Sequence, residues 1–165
     1  MKAITKISLC TAALALLITA TTDPLTLAAA HDPPGSPKLD HLLQEWLDAW
    51  NSHDDDRILA VFTDDIFYED LVLMPDIHNS AQLRAFADAV FTAIPDAFFT
   101  VERGFISGDR GLIEGTFSGT DVGVLGTGKP FAVRFTVALE VHGGKISRES
   151  DYYDFATILR QIGAL

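Results

Sequence analysis

The residues best suited to moving a proton lie near the C-terminal end of the 165-residue chain. Ser147, Glu149, Asp151 and Tyr153 occupy alternate positions in a segment that reads as a strand, so they share one of its faces. A carboxyl group enclosed by apolar side chains keeps its proton to higher pH, which suits acid/base chemistry near neutrality. Asp151 is the first candidate for that role. Its alternative is an ordinary aspartate near a strand end, solvated and hydrogen-bonded to a loop. A second acid, Asp70, ends the segment Tyr68-Glu69-Asp70, where carboxylates ordinarily face water.

Other chemistries have less behind them. His53-Asp54-Asp55-Asp56 resembles a metal cluster only in composition. Consecutive side chains at a helix start point in different directions, and acids are favoured there by the helix dipole. No spaced His/Asp set completes a shell, so no metal is expected. The glycines from Gly123 to Gly128 lack the strand-to-helix context of a phosphate loop, and no G-x-S-x-G nucleophile motif occurs. The single cysteine, Cys10, lies in the N-terminal apolar stretch, which leaves the rest without a thiol nucleophile or a disulfide. No cofactor is expected.

The elements that must position these residues follow from periodicity. Ser36-Pro37 suits a helix start, and Leu39, Leu42, Leu43, Trp46, Leu47 and Trp50 then recur at helical spacing. Asn51-Ser52-His53 ends that helix. Asp54 can cap a second one, with Ile58, Val61 and Phe62 facing inward, and Thr63-Asp64-Asp65 turns into a strand over residues 66–71. A third helix follows Asn79-Ser80 and stops at Pro95. Segments 98–107, 111–120, 131–141 and 146–153 are rich in β-branched and aromatic residues and separated by glycine turns, which predicts antiparallel strands. In the third of these, Phe131, Val133, Phe135, Val137, Leu139 and Val141 alternate with Ala132, Arg134, Thr136, Ala138 and Glu140. One face is uniformly apolar, and the mixed face is expected to frame a partly polar cavity.

The N-terminus reads as a targeting segment. Lys2 and Lys6 precede an apolar stretch over residues 7–20, and Ala28-Ala29-Ala30 fits a signal-peptidase site. The expectation is a signal peptide cleaved after Ala30, a linker over residues 31–38, one domain over residues 39–165, and a secreted or periplasmic protein. The formal net charge is −11, and removing the leader makes the rest more acidic still. With no basic stripe, neither nucleic acid nor an anionic membrane surface is an expected partner.

Several segments, taken in order, resemble the nuclear transport factor 2-like superfamily and within it the SnoaL-like polyketide cyclases. They are Trp50-Asn51-Ser52-His53-Asp54, Phe62-Thr63-Asp64-Asp65 leading to Tyr68-Glu69-Asp70, Ile94-Pro95-Asp96, Gly115-Thr116-Phe117-Ser118-Gly119, Gly126-Thr127-Gly128-Lys129 and Asp151-Tyr152-Tyr153-Asp154. The resemblance implies an α+β fold, a cone-shaped barrel with three N-terminal helices packed on a curved, mostly antiparallel sheet, often dimeric. It also implies that Asp151 matches the general acid/base of cofactor-free cyclases. Asp70 matches a proton-shuttling aspartate of bacterial ketosteroid isomerases. Two departures count against direct transfer of either activity. The isomerase's tyrosine corresponds to Trp46 and its second acid falls near Thr136, while Phe117 replaces the histidine of the cyclases' G-T-H-x-G pattern. What remains is an aromatic pocket for a hydrophobic small molecule, lined by Trp50, Tyr68, Phe117 and Tyr153, with Arg134 or Thr136 as polar anchors. The alternative for Arg134 is a surface ion pair with Glu149 or Glu140. The functions that fit are a cofactor-independent cyclase, isomerase or dehydratase, or a non-catalytic carrier of a hydrophobic ligand.

Overall fold

The computed structural model describes residues 39–73 and 76–165. The leader, its cleavage site and the linker lie outside the described residues, as does the Ser36-Pro37 helix start. The first helix, α1 (His41–Ser52), begins after Asp40, whose carboxylate does not cap it but accepts the backbone N–H of Ile106 at 2.8 Å. Leu43, Trp46, Ala49 and Trp50 form its buried stripe, at the spacing that helical periodicity requires. His53 ends α1 in the left-handed region, and Asp54 then caps α2 (Asp55–Val61) by accepting the N–H groups of Asp56 and Arg57.

Strand β1 runs from Phe62 to Asp70, several residues earlier than the sequence pattern indicates. The polar triplet Thr63-Asp64-Asp65 is not a turn. It is a stretch of strand where pairing with the neighbouring strand slips between Phe62 and Phe67. A two-residue strand, β2 (Asp76–Ile77), pairs back on β1. Helix α3 (Ser80–Ala93) is capped by Asn79, as its sequence predicts. The strands β3 (Phe98–Ser107), β4 (Arg110–Thr120), β5 (Pro130–His142) and β6 (Lys145–Tyr153) follow as an antiparallel meander. A fourth helix, α4 (Phe155–Ile162), not expected from the sequence, is capped by Asp154 and closed by Gly163.

The sheet order is β2-β1-β6-β5-β4-β3, antiparallel throughout except for β1 beside β6. Among the described residues, four helices therefore pack on a six-stranded mixed sheet that remains open, with β2 and β3 as edges, which is the α+β arrangement of helices on a mostly antiparallel sheet that the sequence implies. Most buried apolar side chains, from Leu43 and Trp46 to Leu139 and Ile146, form one core. A smaller cluster of Ile94, Ala97, Phe131, Val133, Ile158 and Ile162 lies where α4 meets β5. The site lies on this same inner face.

Candidate active site

The parallel pairing of β1 with β6 decides what the site contains. Its register sets Tyr68 opposite Glu149 and Asp70 opposite Asp151. Residues two apart share a face, so Tyr68, Asp70, Glu149, Asp151 and Tyr153 all project from the inner face of two adjacent strands. On the other side of β6, Leu139, Val137 and Phe135 of β5 stand opposite Glu149, Asp151 and Tyr153 and supply an apolar flank. The two tyrosines cross. Tyr68 donates its hydroxyl to Asp151 Oδ2 at 2.5 Å, and Tyr153 donates to Asp70 Oδ2 at 2.9 Å.

These groups border a cavity of about 90 Å³. At roughly 10–15 Å³ of such space per water, it corresponds to several waters or a small organic molecule. Its walls are mainly aromatic. Phe117 stacks on Phe99 with ring centroids 4.7 Å apart, and Phe99 meets Phe135 edge-on at 5.7 Å. Among the described residues that line it there are four acids, Asp70, Asp121, Glu149 and Asp151, and no lysine, arginine or histidine.

The four acids are held in different ways. Asp70 is buried. Its Oδ1 accepts the backbone N–H groups of Val72 and Leu73, both at 2.8 Å, and its Oδ2 accepts from Tyr153. Both oxygens are thus committed to the turn after β1 and to the tyrosine. Asp121 is also fully buried, but it sits in a nest of donors: the backbone N–H groups of Leu125, Gly126 and Thr127, and the Thr127 hydroxyl. Burial pushes its pKa up, and these hydrogen bonds more than reverse that, bringing it down to about 2. Asp121 is a fixed charge that ties down the loop between β4 and β5.

Glu149 and Asp151 are the protonatable pair. Glu149 is completely buried, with both carboxyl oxygens facing the Trp46 indole N–H, at 2.9 Å for Oε2 and 3.2 Å for Oε1. Burial, then the neighbouring Asp151 charge, pushes its pKa well above the carboxylate range, although the Trp46 hydrogen bond works against this. Burial likewise raises Asp151, to about 7, opposed by the hydrogen bond from Tyr68 and helped by the charge of Asp70. Tyr68 stays a phenol, since burial and the Asp151 charge both raise its pKa. Glu149 therefore holds its proton to higher pH than an ordinary glutamate. Oδ1 of Asp151 is buried and has no hydrogen-bond partner. It is the one oxygen of the pair without a partner, on a residue that lines the cavity.

Of the residues singled out from the sequence, Asp151, Asp70, Trp50, Tyr68, Phe117 and Tyr153 all line this cavity. Arg134 and Thr136 do not. On β5 the apolar face, with Phe135 and Val137, borders the cavity, so alternation sends Arg134 and Thr136 to the opposite face. There Arg134 pairs with Glu102 rather than with Glu149 or Glu140. The mixed face of β5 therefore does not frame this cavity. Glu149 and Asp121 were missed as site residues. The alternation that put Glu149 on the face of Asp151 was visible, but the indole that makes its burial tolerable comes from α1, about a hundred residues away in sequence.

The profile of the SnoaL-like polyketide cyclase family matches residues 40–162. The chain belongs to that family. No curated protein matches it in sequence. Among solved structures it is similar to a protein with a ketosteroid isomerase-like fold from Catenulispora acidiphila, at 23% identity, covering 76% of this chain and 94% of that one with a TM-score of 0.70. TsrD from Streptomyces laurentii is also 23% identical, with 75% and 93% of the two chains covered and a TM-score of 0.66. A nuclear transport factor 2-like protein of unknown function from Burkholderia pseudomallei has 22% identity, 73% and 94% coverage and a TM-score of 0.65. At these identities the likeness establishes the fold. The chemistry of this SnoaL-like protein has to be read from its own site.

Proposed function

We propose that this SnoaL-like protein catalyses proton transfer at carbon on a neutral, hydrophobic carbonyl compound, the step common to cyclisation, isomerisation and dehydration. Asp151 is the acid/base. The observation that carries this is its Oδ1, a buried oxygen without a partner on a carboxyl group whose pKa is about 7, inside an aromatic cavity. Tyr68 fixes the carboxyl through Oδ2, so Oδ1 alone faces a substrate proton. An acidic lining, with no cation among the described residues that border the cavity, disfavours an anionic substrate. Asp70, bonded to the turn and to Tyr153, acts through its charge on Asp151 and not as a second base.

The test uses 2-tetralone, a neutral bicyclic ketone with acidic α-protons, and follows exchange of those protons for deuterium by NMR. The carboxylate is the base, so exchange should be slow below about pH 6, rise through about pH 7 and level off above about pH 8. A rate no higher than buffer, or one that follows hydroxide without a plateau, would contradict the proposal.

A second reading is favoured by one observation. Phe117 packs between aromatic rings where cyclases of this family have a histidine, and Trp46 spends its N–H on Glu149. A protein that holds a hydrophobic ligand without transforming it would need neither polar group, and tight 2-tetralone binding without exchange is its signature. Export is part of the same proposal, supported by Lys2, Lys6, the apolar stretch and Ala28-Ala29-Ala30. Mass spectrometry of protein recovered outside the cytoplasm should find His31 at the N-terminus, and a retained Met1 would refute cleavage.

A further inference from the structure

Among the described residues, three buried side-chain polar atoms have no hydrogen-bond partner: Trp50 Nε1, Asp151 Oδ1 and Thr63 Oγ1. Two of the three belong to residues that line the aromatic cavity described above. Trp50 is 2% exposed and packed among Trp46, Tyr68, Phe91 and Phe99, with ring centroids 5.9–6.4 Å away, so water cannot ordinarily serve its N–H from outside. A buried donor left unpaired is costly, and such groups in native proteins call for a specific explanation. Trp46, one turn earlier on the same helix, shows the ordinary solution, with its indole N–H on Glu149. Nothing in the described protein plays that part for Trp50.

We infer that the Trp50 indole N–H is the anchor for an acceptor oxygen of the ligand, a carbonyl in the substrates considered above. The two residues with an unused donor and an unused acceptor thus both border the cavity. Trp50 takes the carbonyl oxygen, and Asp151 Oδ1 faces the acidic hydrogen next to it. An indole donor on that oxygen also stabilises the negative charge that develops when the α-proton leaves, with the electron pair of the C–H bond passing to the oxygen and the proton to Asp151. Selectivity follows: ketones are held in preference to hydrocarbons of the same shape, because only the ketone satisfies the donor.

This inference rests on the cavity being a ligand site, as proposed, but not on turnover. The chain has only two tryptophans, so its indole N–H region holds two NMR resonances, assigned by comparison with Trp50→Phe. Adding 2-tetralone should move the Trp50 resonance downfield and leave that of Trp46 nearly in place. Tetralin, the same skeleton without the oxygen, should not produce that downfield shift. In Trp50→Phe the preference for 2-tetralone over tetralin should fall about tenfold, the worth of one buried hydrogen bond. The enlarged cavity of that variant affects both probes alike, so the ratio isolates the oxygen. Equal shifts with the two probes, or an unchanged preference in the folded variant, overturn the inference. Binding of neither probe overturns it together with the cavity reading. A Trp50 shift without deuterium exchange upholds it while refuting catalysis.

Discussion

Replacing Asp151 with asparagine should lower the deuterium-exchange rate by about 10²–10⁴-fold, the usual contribution of a positioned acid/base, and should at the same time make the protein more stable above neutral pH. The first effect follows because an amide cannot accept the substrate proton. The second follows from linkage. In the unfolded chain the carboxyl loses its proton near its ordinary value of 3.8, whereas burial holds it on to about 7 in the fold. Stability is thus undiminished below the unfolded value, declines as pH rises between the two and is lowest above the folded one. Three units of raised pKa correspond to a cost on the order of 4 kcal/mol at pH 8, which asparagine removes. The substitution keeps the shape and keeps an oxygen for the Tyr68 hydroxyl. Thermal melts at pH 4 and pH 8 separate the readings. A gap between variant and wild type that widens at pH 8, together with lost exchange, marks a group kept protonatable for function. A variant that loses exchange because it melts earlier at both pH values assigns Asp151 a structural part, and unimpaired exchange removes it from the mechanism.

That contradictory burial also explains what could and could not be read from the sequence. Local signals were legible. The stripe of α1, the caps at Asp54 and Asn79, and the alternation of β5 each depend on residues within one element, where period and propensity speak directly. The face shared by Glu149, Asp151 and Tyr153 was visible for the same reason. What the sequence could not supply was which way that face turns and what meets it. The meeting of Asp70 with Asp151 depends on β1 lying parallel to β6, a pairing of strands separated by most of the domain. The Glu149 partner is an indole on α1, and Arg134 found its counter-charge on β3 instead of on its own sheet neighbours to the other side. The eight residues of α4 are too few to show a convincing period, and only the Asp154 cap and Gly163 mark them. Where an acid can be either solvated or enclosed, long-range pairing decides, and a one-dimensional pattern does not contain it.

The largest stability effect is expected at Gly115, a small residue beside Phe135 of the cavity wall. It lies in β4 with Val101 of β3 on one side and Phe135 of β5 on the other. A Cβ placed there would overlap the backbone carbonyl oxygen of Thr100 and come within 2.9 Å of two ring carbons of Phe135. The carbonyl belongs to the backbone of a paired strand and cannot retreat without breaking the ladder. The ring is buried and contacts Trp46 and Phe99 at centroid distances of 6.2 and 5.7 Å, so its displacement passes directly to the aromatic wall and to the indole that holds Glu149. Overpacking of this kind typically costs about 1–3 kcal/mol, and more when backbone must move. Gly115→Ala should therefore lose at least about 3 kcal/mol or fail to fold. Gly143→Ala is the control. It has a positive φ of 60° in the turn between β5 and β6 but nothing within 4 Å of an added Cβ. Only the left-handed backbone is penalised there, by roughly 1–2 kcal/mol. If chemical denaturation finds the two variants equally stable, β3 and β4 yield freely around Gly115, and the cavity is a softer enclosure than these contacts imply. If Gly115→Ala is much the weaker and its residual folded fraction has lost 2-tetralone exchange, the close approach of three strands at this glycine is what keeps the aromatic wall in place around Asp151.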